Sequence, residues 1–188
     1  MNISRQRAFT MMLIVCFSLV LCPISAVQAA SAAEIDAEVA TALVQFRKDI
    51  AGSDDYLKEA KGVLVIPNVK KVGFVVAGQW GTGALRIGGS NVDYYTMKAG
   101  SAGFQAGYQK ANFVFIFFTD DSLNKFRAGE GWTVGAEAGL TLVEVGAGAS
   151  ADTLKSQNAV AGFAFGKEGL MAGWSAKGTK FSRITPDK

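Results

Sequence analysis

The chain has 188 residues, 19 basic and 16 acidic, with 22 glycines, two cysteines and no histidine. Without histidine there is no Ser-His-Asp triad, no Cys-His pair and no imidazole metal site. A composition 49% apolar and 19% charged suits one globular domain and excludes a disordered chain.

Arg5 and Arg7 precede an apolar run over residues 8–21, and Ala26-Val27-Gln28-Ala29-Ala30 follows. A basic start, a short apolar stretch and a small-residue cleavage site predict a secretory signal peptide over residues 1–29. Cleavage is expected after Ala29, with Ala32 as the alternative. The run is shorter than the roughly 18–20 residues of a spanning helix, and Pro23 interrupts it. Cys16 follows Val15 and Cys22 follows Leu21, whereas lipid attachment wants a small residue before the cysteine, so neither suits a covalent anchor. The chain is read as exported: periplasmic, or associated with the outer membrane. From residue 30 onward it holds no cysteine, which excludes disulfides, thiol chemistry and a zinc site. Removing Arg5 and Arg7 leaves 17 basic against 16 acidic residues, so no global field points to nucleic acid.

Residues 30–61 read as a helical segment. Ser31-Ala32-Ala33-Glu34 is a capping box. Ile35, Val39, Leu43, Phe46 and Ile50 then form one apolar stripe, read as packing on the domain core, with a membrane surface as the alternative. Gly52 ends this helix, and Ser53-Asp54-Asp55 is expected to cap a second one running to about Lys61.

Residues 62–188 read as a glycine-rich β domain. Strands are expected over residues 62–67, 72–80 and 84–87, with a hairpin at Gly81-Thr82-Gly83 and a turn at Gly88-Gly89-Ser90-Asn91. Residues 102–109 alternate bulky and small positions, which predicts another strand. Phe113-Val114-Phe115-Ile116-Phe117-Phe118 is apolar on both sides, as a central buried strand must be. Thr119 is expected to cap a short helix with Leu123 and Phe126 inward. Further strands are predicted over 132–148 (two), 159–165, 170–176 and 180–184, with a turn over residues 166–169. Many short strands at this spacing make the fold mainly antiparallel β, barrel-like or a sandwich, in an α+β chain with N-terminal amphipathic helices and one short internal helix. Glycines at alternate strand positions indicate tight curvature or, alternatively, a smooth slot for an acyl chain.

Chemical motifs are few. Residues 146–151 read G-x-G-x-x-A after a strand, but no long helix follows and no strand–helix–strand unit is expected, so a dinucleotide loop is rejected. Asp120, Ser122 and Asn124 begin like a calcium loop, yet Lys125 and Gly131 occupy its glycine and glutamate positions, and helix capping accounts for the acids. Glu137, Glu144, Asp152 and Glu168 show no paired-carboxylate spacing. No cofactor and no catalytic residue is implied. Lys70 and Lys71 are expected in a turn between two apolar strands, where with Lys61 and Arg86 they would form a cationic patch for anionic headgroups. The alternative is a solubilising pair.

Three ordered blocks resemble the SYLF domain: Lys61–Pro67 with Val72-Gly73-Phe74 and Gly78–Gly83; Gly100–Gly107; and Phe163 with Gly169–Ser175 and Gly178-Thr179. The chain is similar to the secreted bacterial branch of that family. The resemblance implies a lipid-binding module. Together with the expected export it leads to a non-enzymatic domain that binds a phospholipid or membrane surface, with Lys70 and Lys71, joined by Lys61 and Arg86, expected to meet anionic headgroups and Phe74 and Trp80 the acyl region. The other reading is a structural or protein-interaction module of the envelope without a lipid ligand.

Overall fold

In the computed structural model, residues 30–187 are described except 74–75, 103–106, 130–131, 134–139, 145–149, 158 and 170–177. Helix α1 (Ala32–Asp49) starts where the capping box predicts: Ser31 Oγ accepts from the Glu34 amide at 3.3 Å, and the Ser31 amide donates to Glu34 Oε2 at 2.9 Å. Its stripe of Ile35, Val39, Leu43 and Phe46 is buried against the sheet, so the core reading of this helix holds. Helix α2 (Ser53–Glu59) is capped by Gly52 in the left-handed region, not by Ser53, whose hydroxyl turns back to the Arg47 carbonyl.

Eight strands follow: β1 (Gly62–Gly73), β2 (Val76–Ile87), β3 (Ser90–Ala102), β4 (Gly107–Phe117), β5 (Trp132–Thr133), β6 (Leu140–Glu144), β7 (Val160–Gly169) and β8 (Lys180–Ile184). Helix α3 (Asp120–Ala128) lies between β4 and β5, and α4 (Ala151–Gln157) between β6 and β7. There are thus two short internal helices where one was expected. Thr119 caps α3 as anticipated, its hydroxyl accepting from the Ser122 amide.

The strands form one sheet in the order β5-β8-β3-β2-β1-β4-β7-β6, antiparallel throughout except for the parallel pair β6–β7. It is neither a sandwich nor a closed barrel; among the described residues no ladder joins β5 to β6. It is nevertheless curled. Four ladder steps separate β4 from β8, roughly 19 Å in a flat sheet at about 4.8 Å per step. Yet the rings of Phe115 (β4) and Phe181 (β8) meet edge-on at 5.3 Å. Phe113, Phe115 and Phe117 fill this concave side together with Leu64, Leu85, Tyr95 and Met97. Phe126 of α3 closes it, touching Tyr95, Phe117 and Phe181. Val114, Ile116 and Phe118 point the other way, into the layer under α1, so the six-residue apolar run is buried on both faces. Asp93 of β3, 3% exposed, ties the concave side's edge by accepting from Arg127 of α3 and Arg183 of β8.

The strands are longer than the sequence suggests, because two glycine sites read as turns are not turns. β2 runs unbroken through Gly81-Thr82-Gly83, and the β1–β2 connection falls at residues 74–75. What the glycines answer to is a bulge in β1. The register of β1 slips by one residue between Val65 and Lys70 against β2, and between Ile66 and Val69 against β4. Asn68 adopts a left-handed φ of 53° there, a conformation asparagine tolerates better than most residues. Its amide donates to Asn112 Oδ1 at 2.9 Å, and Asn112 Nδ2 donates to Gln45 of α1 at 3.0 Å. The bulge presses the β1 backbone onto β2, where a Cβ on Gly83 would lie 1.9 Å from the Val65 carbonyl oxygen. Likewise β7 runs through 166–169, with a bulge at Gly166 (φ 60°) in place of the expected turn. The predicted strand over 170–176 lies outside the described residues, as do residues 103–106 of the one expected over 102–109, whose two ends fall instead in β3 and β4.

The sequence-based ground for rejecting a dinucleotide loop also needs correction. β6, α4 and β7 do form a parallel strand–helix–strand unit, although α4 has only seven residues.

Gly83→Ala should destabilise the fold by about 2–4 kcal/mol, since backbone must move to admit the methyl group. Gly100→Ala, whose Cβ meets nothing within 4 Å, should stay within about 0.5 kcal/mol of the parent. Urea unfolding of the two variants checks the contrast.

Candidate functional site

The bulge decides which lysine faces which way. Lys70 and Lys71 lie inside β1, not in a turn. Beyond the slip, Lys70 is exposed on the side of the sheet that carries α1, while Lys71 points to the concave side and is 5% exposed. There Lys71 stands across from Gln79 and Gln109, both buried. Burial holds its ammonium below the usual lysine range.

On the α1 side the ladders align a row of residues. Lys110 stands opposite Lys70, Lys70 opposite Trp80, Trp80 opposite Lys98, and Lys98 opposite Lys180. Cross-strand partners share a face, so four lysines and one tryptophan cross five adjacent strands in one line. Glu168 of β7 follows Lys110 in the register. One step further from α1 come Tyr108, Val72, Gly78 and Gly100, and beyond them Val76. Trp80 is 45% exposed, Val72 43%, Tyr108 49% and Val76 69%, which makes this the place where large apolar side chains gather at the surface. Alpha1 covers the same face only up to the bulge. The result is a bare, basic-then-apolar strip at the β1–β2 end of the sheet.

The six residues singled out by sequence therefore separate. Lys70 and Trp80 belong to this strip. Phe74 lies outside the described residues. Lys71 is on the opposite face. Lys61 and Arg86 are at the other end of β1 and β2, where they line a separate pocket with α1 and α2. Lys98, Lys110 and Lys180 were missed; each sits singly in its own strand, and only the register assembles them. Among the described residues no group of acidic side chains could hold a metal ion, and no helix is long and apolar enough to cross a membrane.

Residues 98–185 match the family described as Ysc84, Las17-binding protein actin regulator. That match, with the relatives below, supports the SYLF (Ysc84) family for residues 98–185. The chain is similar to LAS seventeen-binding protein 3 of Saccharomyces cerevisiae, in strains YJM789 and ATCC 204508 / S288c, at 33% identity over 132 residues. That alignment covers 66% of this chain and 28% of the yeast proteins, so the chain spans well under half the length of the curated relatives it matches. The SYLF residues 98–185 run from the lysine row's Lys98 through β4, α3 and the β6–α4–β7 unit to the end of β8.

The buried lysine makes stability depend on pH with a definite sign. A folded-state pKa below the ordinary 10.5 means that the unfolded chain binds more protons in the interval between the two values. Stability therefore rises with pH through that interval. Lys71→Met should remove this part of the slope, as urea unfolding of parent and variant between pH 7 and 10.5 would show; tyrosines 56, 94 and 95 titrate alike in both proteins.

Proposed function

We propose that this SYLF domain is a non-enzymatic docking module that binds an anionic membrane surface through the strip at the β1–β2 end of its sheet. The observation that carries the reading is the line Lys110-Lys70-Trp80-Lys98-Lys180 backed by exposed Tyr108, Val72 and Val76. Lysine stems run along apolar surface while their ammonium groups reach headgroup phosphates. Tryptophan and tyrosine favour the interfacial layer, where the ring is apolar and the polar edge stays wet. At about 1 kcal/mol per basic residue near an anionic leaflet, four lysines contribute on the order of 4 kcal/mol, with Trp80 and the valines adding apolar burial. The residues that act are then Lys70, Trp80, Lys98, Lys110 and Lys180. With the signal sequence at residues 1–29, the membrane would be one of the bacterial envelope, met from the periplasm.

The second reading is a protein partner, favoured by the name of the yeast relatives, which describes them as binding LAS seventeen. The same strip would serve it.

Co-sedimentation with phosphatidylcholine vesicles, with and without phosphatidylglycerol, separates the two. Binding is expected only with the anionic lipid, weakening from 0.1 to 1 M salt as the Debye length falls from about 10 to 3 Å. Lys70→Glu/Lys98→Glu should abolish it, and Trp80→Ala should weaken it about tenfold. Folded parent protein that binds neither vesicle would overturn the membrane reading and leave the protein partner.

A further inference from the structure

The other half of the basic residues picked out by sequence lies away from the strip, in a pocket of about 420 Å³. Its walls carry Arg47 from α1, Lys58 and Lys61 from α2 and the link after it, and Arg86 from β2. Leu43 and Leu57 supply apolar lining. The glycine pair at its rim, Gly88 and Gly89, has positive φ at both positions and open space where a Cβ would stand.

The charge around this pocket does not cancel. Asp54 accepts from Arg47 Nε at 2.9 Å and offsets one of the four cations. Glu59, the next carboxylate, accepts from Lys155 at 2.6 Å; that hydrogen bond chiefly, with weaker attraction from Lys58 and Lys61, holds it below the usual carboxylate range, so one carboxylate is shared among three lysines. Arg86 is held in place by neutral groups, donating to Asn91 Oδ1 at 2.9 Å and to the Gly89 carbonyl. Asn91 is itself anchored through its Nδ2 to Asp36 at 2.6 Å. Neither Lys58 nor Lys61 makes an ion pair among the described residues. Both arginines keep N–H donors beyond the ones these contacts use, because a guanidinium has five.

We propose that this pocket binds a phosphate monoester whose organic part is small and apolar. A dianion matches the charge excess better than a single carboxylate, and the guanidinium fork suits phosphate oxygens. The volume falls within the range of small-molecule sites, and the leucines give the organic part a surface to cover. The ester could be a free metabolite or the headgroup of a lipid monomer; the chemistry is common to both. The site is separate from the membrane strip and does not depend on it.

The test is calorimetric titration of the protein with phenyl phosphate, with monomeric dihexanoyl phosphatidic acid, and with benzyl alcohol as the uncharged control. Saturable binding of either phosphate ester, and none of the alcohol, is expected; the tighter of the two esters names the source. Lys58→Ala/Lys61→Ala removes two exposed side chains without ion pairs and should weaken that binding about tenfold or more. Trp80→Ala, which disturbs only the strip, should leave it unchanged. The proposal fails if neither ester binds, or if the Lys58/Lys61 variant binds like the parent. It also fails if the Trp80 variant alone loses affinity. Vesicle binding measured on the same variants keeps its failure distinct from that of the membrane reading.

Discussion

A single extra residue in β1 organises the molecule. The bulge at Pro67-Asn68 slips β1 by one position against both β2 and β4, and a one-residue slip exchanges the faces of every side chain beyond it. Before the bulge, Val63 and Val65 face α1 and Leu64 and Ile66 face the concave core. After it Val69 returns to the core, Lys71 is enclosed, and Lys70 and Val72 emerge on the α1 side. The constraint reaches further than β1. It demands glycine at 83, where the β1 carbonyl leaves no room for a Cβ. It also recruits Asn112 and Gln45 to satisfy the amide that the left-handed Asn68 frees from the ladder.

The same feature explains why one face of one sheet is core at one end and exposed at the other. Under α1 the face is aliphatic and aromatic, and Phe46 packs there against Phe163 and Phe165. Near the bulge it turns polar, with Asn112, Thr82, Thr96 and Ser182 along the ladders. Then come the lysines, and last the exposed valines, tyrosine and tryptophan. Alpha1 is 18 residues long, about 27 Å at 1.5 Å per residue; it covers the first of these zones and reaches the second through Gln45 on Asn112. Burial on the concave side, by contrast, does not depend on α1. The curl of the sheet brings β8 over β4, and Phe126 fills what remains, so the two faces are closed by different means.

Much of this was legible from the chain. The capping box at Ser31 and the spacing of Ile35, Val39, Leu43 and Phe46 specify α1, because a helix presents residues three and four apart on one side. The run from Phe113 to Phe118 specifies a central strand, because only a strand covered on both sides can be apolar at every position. The three SYLF-like blocks pointed to the family. The turns were less legible. Gly81-Thr82-Gly83 has the composition of a hairpin, but glycine answers equally to a turn and to a neighbouring backbone pressed close, and local sequence does not separate the two.

Sequence alone thus determined α1, the capped start of α3, the two-sided core strand, the absence of histidine chemistry, and the suspicion that Lys70 and Trp80 lie at a surface. Tertiary structure decided what those residues stand beside. Lys98, Lys110 and Lys180 join Lys70 and Trp80 through ladders between strands up to 82 residues apart in the chain. Lys61 and Arg86 leave them because β1 and β2 carry their two ends to opposite limits of the sheet. Lys71 changes sides because one residue was added upstream. Register is a property of paired backbones, set by hydrogen bonds between strands and by which face each strand must bury, so it exists only once the sheet has formed.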